Sequence, residues 1–166
     1  NPAISAVALE HVGYAAELTR IIQAYRIDKI LVSSLIGHSL NLLGAQLPMA
    51  MILHDYFPLW PKLHCDFGDP SRHFDVAELA VDALSTAPFM HQSAAFWTRL
   101  RTQYVAQLVL GNVPLIAPSQ CVLDNVRRIS PALAALPAQV IPHGITPWPQ
   151  SLAHASAQIP PLHETR

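Results

Sequence analysis

Charge is scarce in this 166-residue chain. Asp, Glu, Lys and Arg together make up 13% of it, and the formal net charge is -1. So sparse a set forms no basic patch, which argues against a nucleic-acid binder. Thiols are scarcer still, with Cys65 and Cys121 the only two. Two cysteines do not make the disulfide framework of a small secreted scaffold. Long apolar runs are missing as well. Hydrophobic residues reach 51%, yet no stretch approaches the roughly 18 consecutive apolar residues of a membrane span. The longest, such as Met49–Leu53, suit buried strands. No signal-peptide pattern is visible, and a reducing cytoplasm is the simplest compartment. The length suits one domain with a real core. A chain that opens on Asn1 rather than Met reads as a piece of something longer.

Proline, by contrast, is abundant at 15 residues, and its placement is informative. Pro48, Pro114 and Pro137 each come just before an apolar, strand-like run. Pro58, Pro61 and Pro70 mark an irregular segment. Pro147, Pro149, Pro160 and Pro161 mark a tail that is neither helix nor central strand and reads as a linker.

Between these marks the chain alternates. Leu18, Ile21 and Ile22 predict a helix over Ala15–Ala24. Lys29–Ser34, Pro48–His54, Val113–Ala117 and Gln139–Pro142 predict four strands, short continuous apolar runs of the kind buried in parallel sheets. Ser39–Ala45 predicts a short helix, ending near Gly44. Asp55–Asp75 is expected to be a long polar and aromatic loop. Asp75 caps a helix over Val76–Leu84. His91–Leu110 predicts a long helix with Phe96, Leu100, Tyr104 and Leu108 four apart. Ser119 caps another over Gln120–Arg128, where Arg127 and Arg128 complement the helix dipole. No internal repeat is apparent. The expected fold is α/β, a Rossmann-like parallel sheet with helices on both faces.

Open parallel sheets bind ligands beyond the carboxyl ends of their strands. That rule selects Ser33-Ser34 with Gly37-His38, then His54-Asp55-Tyr56, then Pro118-Ser119, then His143-Gly144. His54 is either a group that hydrogen-bonds hydroxyls near neutral pH or, with Asp55, a residue that satisfies loop backbone. Aromatic faces such as Tyr56 suit stacking on sugar rings. His38 either approaches an acceptor or caps the next helix. Arg72 and Lys62 either meet an anionic acceptor such as a lipid phosphate or are scattered surface charge. His64, Cys65, Asp66, Asp69 and His73 are zinc-ligand types, but their spacing matches no common zinc pattern and a solvated loop is the simpler reading. No metal site and no cofactor is assigned. Cys121 lies at a helix N-terminus, but no spacing supplies a base, so it reads as buried structure.

Three segments resemble a known family. "LHDYFPLWP" after a strand looks like the "HDYFPLCP" signature of family 4 glycosyltransferases. "VPLIAPSQCVLDNV" is similar to that family's strand, "APS" and helix. "AQVIPHGI" resembles its "VIPNGI" or "IPHGI" element, where the first domain hands over to the second. They occur in the family's order and span roughly residues 14–146. Trp60 stands where the family has Cys, and the Gly-rich loop and first strands have no counterpart here.

The resemblance implies a two-domain GT-B architecture, of which residues 1–146 are the partial acceptor-side domain and 147–166 the linker toward a donor-binding domain. It implies retaining, metal-independent transfer of a sugar from a nucleotide-sugar to a saccharide or lipid-linked acceptor, at the cytoplasmic side with peripheral membrane contact. His54 becomes the catalytic candidate. His143-Gly144 becomes the interdomain hinge, with Gly allowing a tight turn, and the strand-end and loop residues Asp55, Tyr56, His38 and Arg72 stand beside them as substrate-binding candidates. A non-catalytic Rossmann-like module and a metal-dependent hydrolase are the rival classes.

Overall fold

The computed structural model describes residues 4, 7–62, 65, 67–69, 71–84 and 92–144. Val7–Ala8 (β1) runs into helix Val12–Tyr25 (α1), followed by Ile30–Val32 (β2). A second two-residue strand, His38–Ser39 (β3), and a 3-10 turn over Leu40–Gly44 lead to Met49–Ile52 (β4). Helices Val76–Leu84 (α2) and Ala94–Leu110 (α3) precede Leu115–Ala117 (β5). Helix Gln120–Ile129 (α4) and a 3-10 turn over Pro131–Ala135 precede Ala138–Val140 (β6).

The four apolar runs form one parallel sheet in the order β2-β4-β5-β6. Parallel neighbours require a crossover between them. The crossovers carry α2 and α3 after β4, and α4 with a 3-10 turn after β5. The fold is thus α/β and Rossmann-like, as the alternation predicts. Proline placement now has a physical reason. Ile30 N–H donates to Pro48 O at 2.9 Å, Met51 N–H to Pro114 O at 2.9 Å and Leu115 N–H to Pro137 O at 2.8 Å. Each proline stands at the mouth of a strand, accepting a ladder bond where its missing N–H does no harm.

Sequence and structure differ at several boundaries. β1 pairs with β3 in a separate parallel pair, Val7 opposite His38; two-residue strands leave no periodicity to read. α1 begins earlier than predicted, because the His11 ring, rather than Ser, Thr, Asp or Asn, accepts from Tyr14 N–H at 2.9 Å and caps it. α3 begins later, at the cap Ser93, whose hydroxyl accepts from Phe96 N–H at 3.2 Å. The predicted caps Asp75 and Ser119 accept from Glu78 N–H at 2.9 Å and Val122 N–H at 3.3 Å. The buried stripe of α3 is Trp97, Leu100, Tyr104 and Leu108, with Phe96 only half-buried.

The largest correction concerns Asp55–Asp75. The backbone is irregular as expected, but the aromatic part is drawn into the core: Leu59, Trp60 and Phe74 are all buried, Trp60 completely, while Asp69 and His73 are exposed. Aromatic side chains carry too much apolar surface to remain in water, and this segment has five of them. Trp60 meets Phe74 edge-on at 5.0 Å, Phe67 stacks on Phe74 at 5.1 Å, and Tyr56 tilts against Phe67 at 4.8 Å. The segment turns through a cis Phe57–Pro58 bond. Two arginines tie it down. Arg128 of α4 donates to the carbonyls of Phe67, Asp69 and Arg72. Arg101 of α3 donates to Phe74 O at 2.7 Å and to Ile129 O. Arg128 therefore grips a loop, beyond the dipole role expected of it.

The opposite flank is lightly packed. No residue of α1 is buried, and Leu31 in β2 is 62% exposed. No helix among the described residues is long and apolar enough to cross a membrane. The Pro-rich tail lies outside the described residues.

Candidate functional site

The carboxyl edge of the sheet is the natural starting point. β4 makes its last ladder bond at Leu53, whose N–H donates to Ile116 O at 2.8 Å. β6 makes its last at Ile141, whose N–H donates to Ala117 O at 2.9 Å. His54, expected as the last residue of its strand, instead follows the ladder, and its side chain is exposed. His143 is exposed too, shortly beyond Ile141. Their imidazole planes are nearly parallel, 5° apart, with ring centroids 6.0 Å from one another. Between β4 and β6 lies β5, whose end supplies Pro118 and the cap Ser119. Histidines far apart in sequence are therefore brought together on one edge.

The other candidates lie differently. His38 belongs to the β1–β3 pair rather than the four-stranded sheet. Its Nδ1 is 3.0 Å from the Tyr14 hydroxyl, and Ser39, not His38, holds the cap position of the 3-10 turn. Burial pushes the Tyr14 hydroxyl above its ordinary range. Asp55 Oδ1 accepts from Phe57 N–H at 2.9 Å, so it satisfies loop backbone. Tyr56 is not free to stack on a sugar with both faces: its ring lies on Phe67 and its hydroxyl accepts from Asn125 Nδ2 at 3.0 Å. Burial raises that hydroxyl above the usual range.

Arg72 and Lys62 are neither scattered surface charge nor open to solvent as a pair. Both converge on Asp82 in α2. Lys62 Nζ is 2.6 Å from Oδ1, and the Arg72 guanidinium donates to Oδ2. The Trp60 indole N–H also donates to Oδ2, at 2.6 Å. Asp82 is 5% exposed. Burial alone raises a carboxyl, but hydrogen bonds from Lys62 and Trp60 and the two cationic charges outweigh it and hold Asp82 below the usual carboxylate range. Sequence reasoning missed this centre. Its signal is an acid, Asp82, on the same helical face as the apolar Leu79 and Ala83.

Gly144 needs no glycine for its own conformation. Its backbone is outside the left-handed region, and a Cβ there meets no described atom within 4 Å. The residues that follow Gly144 lie outside the described ones, so the expected turn is not described; Gly37, by contrast, adopts a left-handed φ of 79°. Cys121 is exposed, against the expectation of burial, and its Sγ lies 3.6 Å from Asn125 Nδ2. In the zinc-type set, His64 and Asp66 lie outside the described residues. Burial pushes the Cys65 thiol up to about 11, and Asp69 Oδ1 accepts from Ser71 N–H and hydroxyl at 2.8 and 2.6 Å.

No protein-family model, curated protein or solved structure matches the chain. The three segment resemblances and the edge geometry therefore carry the functional argument. Chemically, that edge offers two imidazoles able to donate and accept hydrogen bonds.

Proposed function

We propose that this chain is the acceptor-side domain of a retaining, two-domain GT-B glycosyltransferase that acts in cell-surface polysaccharide or glycolipid synthesis, in the cytoplasm and peripherally at the inner membrane. The observation that carries the reading is the meeting of His54 and His143 at the carboxyl edge of the parallel sheet. These histidines come from two of the three segments that resemble family 4 enzymes, and the edge is where such folds bind ligands. In this reading the donor's sugar–phosphate bond breaks at that edge, the nucleotide's phosphate leaves with the bonding electron pair and takes up the acceptor's hydroxyl proton, and the acceptor oxygen bonds the sugar carbon. His54 hydrogen-bonds a donor-sugar hydroxyl, while a second domain holds the nucleotide.

A divided site makes a sharp expectation. The 166-residue chain alone should release no nucleotide from a panel of nucleotide-sugars, because the donor phosphates lack their positive clamp. The full-length gene product should release nucleotide in an acceptor-dependent way. Release by the chain alone, scaling with protein, would refute the divided site. A full-length product inert across the panel would instead favour a non-catalytic Rossmann-like module. That second reading draws on the engagement of Asp55, Tyr56 and Arg72 within the chain itself.

A further inference from the structure

We infer that His143 is a positioning residue for His54, an inference that rests on the transferase reading above. His54 sits just beyond the last ladder bond of its strand, in an exposed bend. A side chain there, with no packed neighbour, rotates among several rotamers. His143 supplies the neighbour. Its own backbone is anchored a short way upstream, where Ile141 bonds β5. The two ring planes are nearly parallel, 5° apart, at a centroid separation of 6.0 Å, within the range of stacked aromatic pairs.

The geometry leaves His54 able to act. A nearly parallel neighbour limits tilting of the His54 ring, whereas the ring nitrogens donate and accept in the ring plane. His143 thus narrows the orientation of His54 without occupying its hydrogen-bonding groups. A contact on a donor-sugar hydroxyl needs that narrowing, since a catalytic group works when its orientation is set before substrate arrives. The hinge segment then does two things at once. It leads the chain toward the donor side, and it aims the acceptor-side histidine.

The experiment has two arms. In the 166-residue chain, the His54 ring protons are assigned by NMR at alkaline pH, well above the ordinary imidazole pKa of about 6.5. The His143 ring should displace the His54 ring-proton resonances. His143→Ala should abolish the displacement, and His143→Phe should keep an aromatic one. In the full-length product, His143→Ala should lower kcat about 3- to 10-fold with donor KM little changed, and His143→Phe should restore most of it. Unmoved His54 resonances in His143→Ala would overturn the inference. So would moved resonances with unchanged kcat. A wild-type product without transferase activity would remove the underlying reading, and the positioning role with it, while the NMR arm still reports whether the rings stack.

Discussion

Replacing Asp82 with alanine is expected to lower the unfolding free energy by about 3–5 kcal/mol. The carboxylate is buried and holds Lys62, Arg72 and the Trp60 indole together. Removing it leaves a buried indole N–H without its acceptor and two cations without their counter-charge. The loss is a large fraction of the roughly 5–15 kcal/mol that holds a typical domain together. Urea unfolding of Asp82→Ala at neutral pH measures it, and a change under about 1 kcal/mol would sink the claim. Asp82→Leu combined with Lys62→Met and Arg72→Met should recover much of the loss, because apolar replacement of a whole buried cluster is often neutral. The sign of the pH dependence follows from the depressed carboxyl. The folded state binds that proton less readily than the unfolded state, so stability rises with pH across the interval between the two pKa values. The contribution is present above the unfolded value of about 3.9 and is lost as pH falls through the lower folded value. Asp82→Asn should flatten that acid limb.

In the full-length product, His54→Ala is expected to lower kcat roughly 30- to 1,000-fold, the effect of losing one contact worth about 2–4 kcal/mol in the transition state. On the transferase reading proposed above, KM should change less than kcat, because the proposed contact would tighten as the sugar–phosphate bond breaks. The structure sharpens this test. His54 is exposed and lies past the ladder, so its loss should move the melting temperature little. Steady-state kinetics with thermal melting decides. Near-normal kcat with a clear loss of stability would leave His54 a structural brace for the loop that follows it.

The four-stranded sheet was legible because each strand is a short apolar run announced by proline or preceded by a helix. Asp75 and Ser119 were legible as caps because their side chains are the ordinary acceptors for a helix start. His11 was not, since histidine is an uncommon cap. The Asp55–Asp75 segment misled for a different reason. Its prolines, glycine and acids signal an irregular backbone, and irregular it is. Irregularity says nothing about burial, and its five aromatics decide that question through contacts with α3 and α4 that no local pattern encodes. The Asp82 centre was hidden likewise, because Lys62, Arg72 and Asp82 are separated in sequence and only the fold unites them. At the candidate site, the choice of strand ends followed from a topological rule, whereas the ring-on-ring contact of His54 and His143 is a matter of side-chain placement.

The uneven packing of the chain also sets where it opens first. α1 has no buried residue and the middle of β2 faces outward, whereas α3 inters Trp97, Leu100, Tyr104 and Leu108. Peeling α1 away uncovers little fresh apolar surface, so the cost of that excursion is a fraction of complete unfolding. Freeing α3 uncovers the centre of the core and coincides with losing the whole fold. Solvent deuterium and proteases therefore meet α1 in brief local excursions, and meet α3 only when the molecule comes apart.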